Sequence, residues 1–128
     1  MRIILDTHSL LWFIMGDGRL SNNARTIIED LDNRILVSVG SLWEIAVKVN
    51  IGKLRFLQTY QDFFPSELQK NDIEVLPIRH ADLAILATLP LHHRDPFDRL
   101  IIAQAMSENI SIATKDDAFR NYTVETIW

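Results

Sequence analysis

Short apolar runs alternate along the chain with longer stretches in which apolar residues recur every three or four positions. Ile3-Ile4-Leu5, ending at Asp6, has the pattern of a buried strand. Arg34 to Ser38, Ile73 to Leu76, Ser111 to Thr114 and a short Thr123 to Ile127 repeat it. Between them the spacing predicts helices. One spans Ser9 to Met15 and is stopped by Gly16 and Gly18. The next is capped by Ser21 and runs to Asp32, with Ala24, Ile27, Ile28 and Leu31 on one face. Gly40 to Asn50 is a strongly apolar helix with Gly52 as its terminator. Thr59 to Lys70 is helical, with Pro65 predicting a kink or a new turn. Ala81 to Thr88 is a further helix and Leu89 to Arg94 a loop. Asp95 then caps, and Pro96 opens, a helix to about Glu108. This alternation predicts α/β architecture: a parallel sheet covered on both faces, with right-handed crossovers. With neither repeat nor linker, residues 1–128 read as a single domain.

Composition narrows the function. The 128 residues are 48% hydrophobic and 23% charged, as in a globular protein with a real core. No cysteine is present, which excludes disulfides, thiolate zinc sites and cysteine nucleophiles. The opening segment is interrupted by Asp6 and His8. It is neither a signal-peptide core nor a membrane span, and the chain reads as cytoplasmic with no membrane partner. The net charge of −4 cannot hold nucleic acid by bulk attraction, so any such binding needs a local basic patch or bound cations.

Position along the chain makes four acids candidates. Asp6 ends the first strand and Asp116 follows the fourth. Asp98 stands in the first turn of the helix from Pro96, and Glu44 between Leu42-Trp43 and Ile45-Ala46-Val47. Functional groups of parallel sheets gather beyond the carboxyl ends of the strands. Several like charges near an interior need a compensating cation or proton, and Mg²⁺ or Mn²⁺ suits an all-oxygen ligand set. Each acid also has a plainer explanation. Asp6 can cap the following helix, and Ser41-x-x-Glu44 fits a capping box with Glu44–Lys48 as an i,i+4 pair. Asp98 suits a helix N-terminus, and Asp116 and Asp117 suit a turn. His8 and His80 read as structural, and His92-His93 as a solvated loop. No nucleophile elbow, G-x-G-x-x-G or P-loop is present.

The same positions carry a family likeness. Leu5-Asp6-Thr7-His8 with Leu10-Leu11-Trp12, Ser41-Leu42-Trp43-Glu44-Ile45, Asp95-Pro96-Phe97-Asp98-Arg99-Leu100-Ile101-Ile102-Ala103-Gln104-Ala105 and Thr114-Lys115-Asp116 resemble the successive motifs of PIN domains. The likeness is greatest to the VapC-type toxins of bacterial and archaeal toxin–antitoxin pairs, and it spans essentially the whole chain. It implies a three-layer α/β/α fold around a mainly parallel five-stranded sheet. It also implies an Mg²⁺-dependent endoribonuclease, Mn²⁺ being the alternative ion, with an RNA substrate and a cognate antitoxin. Asp6, Glu44, Asp98 and Asp116 become the catalytic, metal-binding quartet, with Asp95 and Asp117 in support. Thr7 and Thr114, beside quartet members, become candidates for orienting water at the metal. Arg94, Arg99, Lys48 and Lys115 are candidate phosphate contacts.

Two rival readings stand beside this one. A receiver-like phosphotransfer domain also uses Mg²⁺ and acids at strand ends, but it leaves Glu44 unexplained. A non-enzymatic interaction module would use Trp12, Trp43 and Phe63-Phe64 to bind a partner and would be indifferent to Mg²⁺. The helices holding Leu10 to Ile14 and Leu42 to Val49 are apolar nearly all round, which predicts an isologous homodimer.

Overall fold

The computed structural model describes residues 1–128. Five strands, β1 (Arg2–Leu5), β2 (Arg34–Ser38), β3 (Ile73–Leu76), β4 (Ser111–Ala113) and β5 (Thr126–Ile127), form one sheet in the order β3-β2-β1-β4-β5, all parallel. The helices are α1 (Thr7–Met15), α2 (Asn22–Glu29), α3 (Val39–Asn50), α4 (Tyr60–Lys70), α5 (His80–Ala87) and α6 (Pro96–Glu108). A short 3₁₀ helix at Asp117–Asn121, absent from the sequence-based expectation, precedes β5.

Alternation along each strand divides the core in two. Ile3, Leu5, Ile35, Val37 and Ile73 face one side, where they meet Leu10 and Leu11 of α1, Ala24 and Ile28 of α2, Ile45 of α3, and Phe64 and Leu68 of α4. Ile4, Leu36 and Ile112 face the other, against Ile101, Ile102 and Ala105 of α6, with Phe119 and Tyr122. The result is the expected three-layer arrangement with helices on both faces. No helix is long and apolar enough to cross a membrane.

The caps follow local chemistry. Asp6, Ser21, Thr59 and Asp95 each accept backbone N–H bonds at a helix start, and Gly16 ends α1 in the left-handed region at φ 64°. At Pro65, where a kink or a new turn was expected, α4 runs on as one helix without a new start. The missing N–H would have bonded the carbonyl of Gln61, an exposed residue whose oxygen water can reach. Phe64, meanwhile, is fully buried against Tyr60, Phe56 and Phe63. Packing outweighs the lost bond.

Two features position the site. The strand order reverses at β1, whose neighbours are β2 and β4, so the carboxyl ends of β1 and β4 lie side by side. Gly40, in the first turn of α3, lets that helix close on α6. A Cβ there would lie 2.5 Å from Leu100 Cδ2. The surplus apolar surface expected of α1 is reduced, because Trp12, Phe13 and Ile14 are partly buried against the core. That surplus remains on α3, where Val39, Trp43, Val47 and Ile51 are exposed at four-residue intervals.

Candidate active site

Asp6 leaves β1 directly into α1 and is 4% exposed. Its Oδ1 accepts the Ser9 N–H at 2.8 Å and its Oδ2 accepts the Thr114 hydroxyl at 2.6 Å. Thr114 follows β4, so this contact joins the two strand ends at the switch point. Burial raises the Asp6 pKa, and the bonds from Ser9 and Thr114 oppose that rise without cancelling it.

Glu44, 5% exposed on α3, is similarly held. Thr7 donates its hydroxyl to Oε1 at 2.7 Å, and Lys48 Nζ lies 2.8 Å from Oε2. Thr7 Oγ1 is also 3.0 Å from Ser41 Oγ. Thr7 and Thr114 therefore bond carboxylates directly. Orientation of the acids is the task these contacts perform.

Asp98 stands in the first turn of α6, with 20% of its side chain exposed. Burial is the largest influence pushing its pKa up to about 8, followed by the negative charges of Asp95, Asp6, Glu44 and Asp116. Those four acids come from four separate places in the sequence, so the fold has concentrated them around one carboxyl. Asp95 caps α6 through the N–H groups of Phe97 and Asp98. Asp116 caps the 3₁₀ helix through the Ala118 N–H, and its own N–H donates to Thr114. Asp117 points elsewhere, toward Arg120.

No three acids or histidines stand together at ligand spacing as the side chains lie. The reason is local: Asp6, Glu44 and Asp116 are each turned toward a nearby donor. The donor set nevertheless fits a hard divalent cation. It is all oxygen, and the charges of its acids act together on Asp98. The nearby basic groups are Lys48, paired to Glu44, His93, 3.4 Å from Asp98, and Lys115 on the cleft. A cleft of about 200 Å³ lined by Asp6, His8, Trp12, Lys115 and Asp116 opens beside it. Larger cavities of about 690 Å³ and 580 Å³ lie at Ile14–Phe63 and at Ala105–Glu125, away from the acids. Chemistry, rather than size, makes the smaller cleft the candidate site.

The basic candidates divide. Lys115 lines the cleft and Arg94 is exposed, while Lys48 is paired with Glu44. The Arg99 guanidinium is spent on the carbonyls of Leu89, Pro90 and His93 and on the Tyr122 hydroxyl, so it clamps the loop before α6. Sequence reasoning missed two histidines. His8 reaches the cleft, and His93 is half-buried against Tyr122 and Asp98 rather than solvated. Its signal was its place beside the Asp95-Pro96 helix start, five residues before Asp98.

The PIN domain family matches residues 3–125 of the chain. Ribonuclease VapC16 of Mycobacterium tuberculosis (strain ATCC 25618 / H37Rv) is 33% identical over 63 residues, covering 49% of this chain and 45% of that protein. The chain thus spans less than half the length of this curated relative. VapBC2 from Rickettsia felis, bound to a DNA fragment from its promoter, superposes with a TM-score of 0.76 at 18% identity, covering 100% of this chain and 99% of that one. VapBC-1 from nontypeable Haemophilus influenzae gives 0.72 at 18% identity, covering 99% and 97%. FitAcB from Neisseria gonorrhoeae gives 0.66 at 18%, covering 98% and 96%.

Proposed function

This chain belongs to the PIN domain family, and from that premise we propose that it is a divalent-metal-dependent endoribonuclease, the toxin of a toxin–antitoxin pair. The carrying observation is the Asp98 carboxyl, which burial first, and then the charges of Asp95, Asp6, Glu44 and Asp116, push up to a pKa of about 8. A site built only to pack would not concentrate charge in this way.

Asp6, Glu44, Asp98 and Asp116 are the residues that would hold Mg²⁺ or Mn²⁺. A cation held there supplies Lewis acidity toward the scissile phosphate and acidifies a water for attack on phosphorus. The chain's own contribution is orientation and charge. Ser9 and Thr114 fix the Asp6 carboxylate, and Thr7 and Lys48 fix that of Glu44, so little rotamer freedom remains to be lost. The acids repel an incoming phosphate until they are neutralised, which makes cleavage conditional on the cation. Lys115 on the rim and exposed Arg94 supply local attraction for an RNA backbone in a chain of net charge −4.

Two protein partners belong to this reading. A cognate antitoxin would restrain the enzyme by offering a basic side chain to the acids. A second copy of the chain would cover the exposed stripe on α3. The phosphotransfer alternative is less well supported, because it leaves unexplained a buried Glu44 held by Thr7 and Lys48.

The test is cleavage of a mixed RNA pool by purified protein. Cleavage with Mg²⁺ or Mn²⁺, lost on chelation and in Asp6→Asn and Asp98→Asn, is the expected result. Cleavage that survives chelation or either substitution would overturn the reading.

A further inference from the structure

The ring of His93 lies between Asp98 and Tyr122. The Tyr122 hydroxyl oxygen is 3.1 Å from the backbone nitrogens of both His92 and His93 and 3.2 Å from Arg99 Nη1. All three are obligate donors. The His92 N–H is shared with the Pro90 carbonyl at 3.1 Å, but the His93 N–H and Arg99 Nη1 suffice to fill the two lone pairs of the phenol oxygen. The phenol proton must therefore go to an acceptor, and His93 Nδ1 stands 3.2 Å away. Nδ1 thus carries the ring's lone pair, and Nε2 carries the proton. Nε2 is closed to water and has no hydrogen-bond partner, yet it lies 3.4 Å from Asp98 Oδ2. A buried N–H left unmet is costly, and a small turn of the Asp98 carboxylate meets it.

From this geometry we infer that His93 is a positioning residue for Asp98. Its Nε2–H holds one carboxylate oxygen and leaves the other to a divalent cation, as orienting partners behind metal ligands do. The inference rests on the metal-dependent reading above. The latch behind it is long-range: Arg99 pins the loop by the carbonyls of Leu89 and Pro90, and Tyr122, beyond β4, fixes the ring.

Two substitutions separate orientation from packing. In His93→Gln the amide nitrogen can occupy the place of Nε2 and keep the donor toward Asp98. In His93→Asn the amide reaches only the place of Nδ1, so the Asp98 donor is lost. Mn²⁺ affinity is measured by calorimetry on the intact chain without RNA, with thermal melts as the check on folding. His93→Gln should bind within about threefold of the parent, and folded His93→Asn about 10- to 100-fold more weakly. Equal affinity in folded His93→Asn and the parent would overturn the inference.

A second measurement needs neither metal nor RNA. Nitrogen-15 spectra of the ring should show the proton on Nε2, with a resonance that moves in Asp98→Ala. A proton on Nδ1, or an Nε2–H indifferent to Asp98→Ala, would overturn the inference by itself. A parent that binds Mn²⁺ but leaves RNA intact would instead defeat the ribonuclease reading. The role of His93 would then be decided by affinity and ring tautomer alone.

Discussion

Asp98 is strongly perturbed because it is largely buried and because the charges of Asp95, Asp6, Glu44 and Asp116 act on its carboxyl. Folding raises its pKa from 3.8 to about 8, so between those values the folded protein binds a proton that the unfolded chain has released. Stability must then fall as pH rises through that window and level off above it. Burial of Asp6 acts in the same direction. Melting of chelated protein from pH 4 to pH 8 should show this decline, and Asp98→Asn should flatten it and stabilise the apo protein at the alkaline end. A parent whose stability climbs across the window would contradict the raised carboxyl. Thr114 offers a second test at this scale. Its hydroxyl meets Asp6 at 2.6 Å and accepts the Asp116 N–H at 3.0 Å, so Thr114→Val leaves a buried carboxyl oxygen and that N–H without their partner. The loss should be about 1–3 kcal/mol in urea denaturation, with weaker metal binding. Val nearly conserves the side chain's shape, so a loss near zero would mean that this bond does not hold Asp6.

At the scale of elements, what could be read from the sequence was what local chemistry decides. Asp6, Ser21, Thr59 and Asp95 are capping residues wherever they precede an apolar period, and each caps here. The strands were equally plain, because buried parallel strands read as continuous apolar runs. What escaped reading depends on distant partners. His93 is drawn inward by Tyr122, which lies 29 residues on. The meeting of the four acids is intermediate. Each was marked by its place after a strand or in an apolar helix, but their approach is tertiary. Strand order sets the ends of β1 and β4 side by side, and the close approach of α3 to α6 at Gly40 brings in Glu44 and Asp98. Asp82 was passed over altogether. It is buried in the first turn of α5, and its Oδ2 accepts the Arg79 N–H at 2.8 Å, so it works as a cap. Asp82→Ala should cost about 0.5–2 kcal/mol in urea denaturation and leave Mn²⁺ affinity unchanged. A change in that affinity would mean that α5 is coupled to the site.

The whole molecule presents two surfaces that one chain leaves unfinished. Trp43 is 62% exposed on α3, in line with Val39, Val47 and Ile51, and only the edge contact with Phe97 covers it in part. Light scattering at micromolar concentration should give a dimer, and Val47→Glu should give a folded monomer by placing a charge in that stripe. A parent that stays monomeric would remove α3 as an interface. The other surface is the acidic cleft itself. A ribonuclease active in a cell is harmful unless restrained, so expression of this chain alone should arrest growth. Asp98→Asn should relieve the arrest while the protein remains folded, since the change removes a carboxylate and its repulsion without changing side-chain size. The opposite charge logic applies to restraint. A partner helix carrying Arg should bind the parent more tightly than Asp98→Asn, because the variant has no carboxyl that can ionise to pair with that cation. Folded Asp98→Asn protein that arrests growth as strongly as the parent would show that toxicity does not pass through the acidic site, and the proposed function would fall with it.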